Sequence, residues 1–267
     1  MRIFSLLKHK IKTTLFLVIT VWSSLSHADW YHPNSDTSAQ IQLKDKINLT
    51  YHADLYDVDL FDTSKELIQE MKDSGKHVVC YFSAGSYENW RQDKKKFLKK
   101  EVGKALDGWE GEWWIDIRSA NVKKIMQARL NLAVQKGCEG VDPDNVDGYS
   151  NSTGFYLKPQ DQLSYNSFLA KEAHKRGLSI GLKNDLLQIV DLVKNFDFSI
   201  NEQCHQFDEC NYLQPFIDAK KPVFNLEYNI KDSTEQASIC ANSRKHNIRT
   251  LIMPEFLDGS FRISCDD

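Results

Sequence analysis

Short apolar runs alternate with longer stretches of helical period along most of the chain. Nine runs read as strands: SAQIQL (38–43), LYDVDL (55–60), HVVCYFS (77–83), WWIDI (113–117), GVDPDN (140–145), LSIGLKN (178–184), FDFSIN (196–201), VFNLEY (223–228) and TLIMPE (250–255). Between them lie helices with recognisable ends. A capping box from Thr63 to Glu66 starts one that stops at Gly75, Ser119 opens one that stops at Gly137, and a third runs through Leu169 and His174 to Gly177. Strands and helices in this alternation build βα units and a parallel sheet. Eight such units close a (β/α)8 TIM barrel, with WWIDI as a short extra strand inserted after the third barrel strand. A doubly wound sheet is the alternative, but no GxGxxG or GxxxxGK[ST] follows any strand.

The first 28 residues depart from this pattern. Arg2, Lys8, Lys10 and Lys12 form a basic start, Thr13 to Trp22 is a short apolar run, and Ser26-His27-Ala28 has the small residues of a cleavage site, so 1–28 is expected to be an export signal peptide. Residues 29–267 then form a single domain, the size of one α/β barrel. Removing four basic side chains takes the net charge from −3 to −7 over 239 residues. An acidic surface repels phosphate backbones and anionic lipid, which argues against nucleic acid and membrane partners. The expected product is a monomer, secreted or periplasmic.

All six cysteines lie beyond the leader, and in an exported chain an even number favours disulfides. Only Cys204 and Cys210 are an evident local pair; the other pairings stay open. No CxxC or HExxH occurs, so neither a metal nor another cofactor is expected. Asn48 and Asn151 lie in glycosylation sequons.

In a barrel the chemistry stands at the carboxyl ends of the strands, and here those ends are rich in carboxylates. Asp57 and Asp59 end the second strand, Asp116 and Arg118 the inserted one, and Asp142, Asp144, Asn145 and Asp147 the fourth. Lys183, Asn184 and Asp185 follow the fifth, Glu202 and Gln203 the sixth, Glu227 and Tyr228 the seventh, and Glu255 the eighth. Converging carboxylates raise one another's pKa unless cations intervene, and Lys183 and Arg118 are the cations at hand. One protonated and one ionised carboxyl is the arrangement of glycoside hydrolysis. An equally available reading makes many of these Asp residues helix caps.

Asp142 and Asp144 share one face of their strand. The segment from Asp142 to Thr153 does not scan as a calcium loop, since Val146 and Asp147 occupy its fifth and sixth positions and Thr153 its twelfth. Tyr81, Tyr87, Trp90, Trp109, Trp113, Trp114, Tyr149 and Tyr228 are aromatic groups suited to stacking on sugars, although aromatic residues in a barrel are more often core; Trp90, after the polar stretch SAGSYEN, reads as a loop residue. No GxSxG occurs, and His205, near Glu202, reads as an exposed loop histidine.

The segments DLYDVDLFDTS, VVCYFSAGSYENWR, WWIDIRS, KGCEGVDPDNVDGYSN, GLKND, INEQC and NLEYN, in this order, resemble the successive motifs of glycoside hydrolase family 114, the endo-α-1,4-polygalactosaminidases. The resemblance implies a (β/α)8 barrel that cleaves α-1,4 linkages in galactosamine-containing exopolysaccharide, as in biofilm matrices. Carried over by motif, the catalytic carboxylates are Asp144 and Glu202, with Asp144 expected as nucleophile and Glu202 as general acid/base of a retaining enzyme. Tyr81, Tyr87, Trp90, Asp116, Arg118, Asn145, Lys183, Asn184, Gln203, Glu227 and Tyr228 are then candidate substrate contacts, and Asp57, Asp59, Asp142 and Asp147 candidates for pairing with sugar amines. The chain departs from the family at Ile41, where an aromatic residue is usual. A catalytically silent polysaccharide-binding barrel and a glycosidase for another α-linked polymer are the competing readings.

Overall fold

A computed structural model describes residues 30–266; the expected leader lies outside them. Eight parallel strands follow one another in chain order: β1 (Ala39–Gln42), β2 (Leu55–Asp59), β3 (His77–Ser83), β7 (Gly140–Asp144), β8 (Ser179–Lys183), β9 (Phe198–Glu202), β10 (Val223–Glu227) and β11 (Arg249–Ile252). A ninth, β12 (Ile263–Ser264), runs antiparallel to β11. Between β3 and β7 the chain builds a separate antiparallel sheet from β4 (Ser86–Glu88), β5 (Val102–Ala105) and β6 (Glu112–Ile115), in the order β4-β6-β5. The WWIDI segment therefore stays out of the parallel sheet as expected, but it joins two further short strands rather than standing alone.

The sheet is curled. Ala39 and Ile41 of β1 share a buried cluster with Leu251 of β11, and with Phe198, Ile200, Phe224 and Leu226. Among the described residues no ladder pairs β1 with β11 or β12; the gap is spanned by the last segment, where Leu257 accepts from the backbone N–H groups of Leu43 and Lys44 at 2.9 and 3.3 Å. Space inside the curl is tight. A Cβ on Gly181 would lie 2.4 Å from the Phe198 ring, so a glycine on β8 is what lets that ring fill the interior.

Among the described residues six α-helices cover the outer face: α1 (Lys65–Asp73), α2 (Ala120–Lys136), α3 (Pro159–His174), α4 (Ile189–Leu192), α5 (Gln214–Asp218) and α6 (Ser233–Lys245). No helix separates β1 from β2, so the eightfold βα repeat is incomplete. Ser119 caps α2 by accepting from Asn121 N–H, as expected from the sequence. The cap of α1 is Ser64, which accepts from Leu67 N–H, and not Thr63. None of these helices is long and apolar enough to cross a membrane.

Candidate active site

The carboxyl ends of β7, β8 and β9 bring Asp144, Lys183 and Glu202 together. Lys183 Nζ lies 3.2 Å from Asp144 Oδ1 and 3.4 Å from Glu202 Oε2. These two oxygens are therefore separated by at most the sum of 3.2 and 3.4 Å. Each carboxylate is also held by a tyrosine from a flanking strand: Tyr81 donates to Asp144 Oδ2 at 2.9 Å and Tyr228 to Glu202 Oε1 at 2.7 Å. Asn184 donates from Nδ2 to Glu202 Oε2 at 3.1 Å and accepts from the Glu202 N–H at 3.0 Å. Asn145, in the left-handed conformation, donates its N–H to Asp144 Oδ1 at 2.8 Å. With both carboxylates bonded on each oxygen, their orientation is set before any substrate arrives.

A second acidic layer lies beneath. Asp57 is 0 % exposed, and neither of its oxygens nor Asp142 Oδ1 has a donor in the protein. Burial, then the neighbouring Asp142, drives Asp57 well above the usual carboxylate range. Asp142 is pushed up to about 7 by burial, against Lys183, with Asp144 and Glu202 adding to the rise. One proton shared by the two carboxyls supplies the missing donor. Burial alone would lower Lys183, but Asp144, Glu202 and Asp142 raise it well above an ordinary lysine, so it stands as an ammonium.

This group opens into a cavity of about 700 Å³ whose rim carries Trp90, 49 % exposed, together with Trp109 and Phe256 in edge-to-face contact at 6.4 Å. Tyr81, Asp144, Asn145, Asp147, Lys183, Asn184 and Glu202 line it. Other expected residues are placed elsewhere. Asp57 and Asp142 lie under the floor, and Asp59, although on the cavity wall, is locked to Arg91 at 2.6 Å; of the four carboxylates expected to meet sugar amines, only Asp147 is free of both limits. Asp116 and Arg118 pair with each other at 2.8 Å away from the cavity, so Arg118 does not help to neutralise the site. Tyr87 packs on Phe97 and Trp113. Glu227 is buried, accepting from His205 N–H and Asn225, and Gln203 turns to Gln206. His205 is half-buried rather than exposed and contacts Ser243 Oγ at 2.8 Å.

Glu88, Arg91, Glu112 and Phe256 also line the cavity but were not among the expected site residues. Three of them come from the insertion between β3 and β7, which a search of strand ends does not reach.

The family model described as glycoside-hydrolase family GH114 matches residues 22–267. The chain belongs to this family. It is a glycoside hydrolase. A search of curated proteins found no match. Among solved structures, Ega3 from Aspergillus fumigatus in complex with galactosamine is 41 % identical, with a TM-score of 0.85 over 89 % of this chain and 98 % of that one. The glycoside hydrolase domain of PelA from Pseudomonas aeruginosa has a TM-score of 0.68 at 13 % identity, covering 85 % of this chain and 98 % of that one, which is a likeness of fold.

In this GH114 hydrolase a polar relay backs Asp144. Asn145 Nδ2 donates to Ser83 Oγ at 3.0 Å, Ser83 Oγ meets Ser86 Oγ at 2.6 Å, and Ser86 Oγ donates to Glu112 Oε2 at 2.7 Å. Burial, with Glu88 and Asp144 nearby and the Ser86 bond opposing, pushes Glu112 up to about 7. Loop 84–86 is pressed against Asn145: a Cβ on Gly85 would sit 1.6 Å from the Asn145 carbonyl oxygen. The cysteines pair as Cys80–Cys138, Cys204–Cys210 and Cys240–Cys265. Cys204, His205 and Cys210 cluster like metal donors, but two of the three are consumed by the disulfide.

Proposed function

We propose that this hydrolase cleaves α-1,4 linkages within a galactosamine-containing polysaccharide with retention, on a (β/α)8-type scaffold, after export and removal of residues 1–28. Asp144 serves as nucleophile and Glu202 as general acid/base. The observation that carries the reading is the single Lys183 ammonium touching both carboxylates. Retaining glycosidases need carboxyls about 5–5.5 Å apart and inverting ones about 6.5–9.5 Å. A bridge of 3.2 and 3.4 Å favours the shorter class. The likeness to Ega3 bound to galactosamine supports the choice of sugar, as does the charge balance: with Glu202 carrying the proton that it delivers, Asp144 and the singly protonated Asp57–Asp142 pair still outweigh one lysine, which suits a cationic ligand.

In the first step Glu202 delivers its proton to the glycosidic oxygen while Asp144 attacks the anomeric carbon; the bond to the leaving sugar breaks and an ester to Asp144 forms. Tyr81 and Asn145 hold Asp144 for that attack. Water then displaces the ester with Glu202 taking its proton. Asp144→Asn and Glu202→Gln should each lower kcat on galactosamine polymer by a factor of about 10² to 10⁴. Mass analysis of products and the anomeric configuration of the first-formed sugar test the rest. Wild-type turnover by either variant sinks the mechanism, and an inverted product reassigns Asp144 to water activation.

A further inference from the structure

Beside Glu202 a second hollow of about 360 Å³ opens. It shares Asp147, Asn184 and Glu202 with the main cavity, whereas Asp144 lines only the main one. Leu187 and Phe207, 69 and 57 % exposed, form part of its lining. Apolar side chains of this size held in water beside a polar hollow match the apolar face of a pyranose ring. The rest of the lining is acidic and amide-bearing apart from Tyr149, Ser150 and Leu186, with no Lys, Arg or His. Glu209, partly buried, lines this hollow and not the main cavity. The Cys204–Cys210 disulfide ties together the ends of the loop that carries Phe207.

We infer that this hollow is a leaving-group subsite for an amino sugar, with Phe207 and Leu187 covering the ring and Asp147 with Glu209 receiving its ammonium. The inference rests on the proposed function, because the side of the general acid is the side on which the departing sugar lies. A polymer lying in both hollows has sugars on each side of the bond that breaks, and is cut internally.

Binding to an Asp144→Asn protein separates this idea from turnover. Calorimetry with a galactosamine tetramer and its N-acetylated counterpart would be run on that parent and with Phe207→Ala or Glu209→Gln added. Phe207→Ala should weaken both ligands about tenfold, the worth of one good aromatic contact. Glu209→Gln should weaken the cationic tetramer and leave the acetylated one nearly unchanged. Phe207 is exposed, so its variant decides the matter even where Glu209→Gln fails to fold. If the Phe207→Ala protein binds both tetramers like its parent, the subsite is wrong, and a wild-type enzyme that still cuts the polymer leaves the function standing. A parent that binds neither tetramer overturns both.

Discussion

Lys183 is the side chain on which the reacting group depends. It is buried, reaches Asp144 and Glu202 at 3.2 and 3.4 Å, and is the only cation in contact with either carboxylate among the described residues. Lys183→Met keeps the length and removes the charge, leaving Asp144 and the Asp57–Asp142 pair without the cation that offsets them. We expect kcat/KM to fall by about 10² to 10³, the scale of losing one preorganised electrostatic partner, with the fold retained by circular dichroism. Unchanged kcat/KM would show that the lysine only fills space. Gly85 makes a second case at this scale. An added methyl would drive into the Asn145 carbonyl, and Asn145 in turn holds Asp144. A displacement near 1 Å is enough to cost about 10² in rate, so Gly85→Ala should lose activity on that order while the protein still melts cooperatively. A Gly85→Ala enzyme of full activity would mean that Asp144 does not depend on this loop.

At the scale of elements, the strand-end carboxylates were legible because a strand alternates its faces and a barrel presents its carboxyl ends; those two rules place Asp144, Lys183 and Glu202 among many strand-end residues, and only the resemblance to family 114 singled out Asp144 and Glu202. Of the insertion only the WWIDI strand was legible. Its other strands are three and four residues long, too short for a period to show, and what holds the insertion in place is buried charge linking distant parts of the chain. Arg91 bonds Glu88 and Asp59, and Arg129 of α2 bonds both oxygens of Asp93 at 2.9 Å and the Ser83 carbonyl at 2.6 Å. No local spacing connects residues 59, 91 and 129. Nor could the sequence tell that Asp59 is committed to Arg91 and so cannot serve a sugar amine. Arg129, 1 % exposed, gives the test: Arg129→Leu leaves Asp93 and Glu88 short of a partner and should cost about 3–5 kcal/mol. Urea denaturation measures it, and a loss under about 1 kcal/mol would mean that the network does not anchor the insertion.

For the molecule as a whole, the acidic site sets how stability varies with pH. Burial holds Asp142 and Glu112 up to about 7, Asp147 to about 6 and Asp185 to about 8, whereas unfolded carboxyls titrate near 4. A carboxyl whose folded pKa is raised contributes stability that is full below its unfolded value and is lost as pH climbs through its folded one. These four therefore weaken the fold between about pH 4 and pH 8. Asp54, Asp116, Asp197, Glu101 and Glu172 are lowered by hydrogen bonds and charged partners, or by those against the pull of burial. Their stability is present above the ordinary carboxyl value and is lost only in acid, so they cannot offset the fall above it. A tenfold change in the acidity of one carboxyl on folding is worth about 1.4 kcal/mol, which makes the effect one of whole kcal/mol. The free energy of unfolding by urea should thus be highest near pH 5 and decline toward pH 8.5. Replacing Asp185 by Asn should flatten the alkaline part of the curve, since an amide has no proton to lose. A stability that holds level or rises from pH 5 to pH 8.5 would mean that these carboxyls are not protonated in the fold, and that Asp57 and Asp142 share no proton at neutral pH.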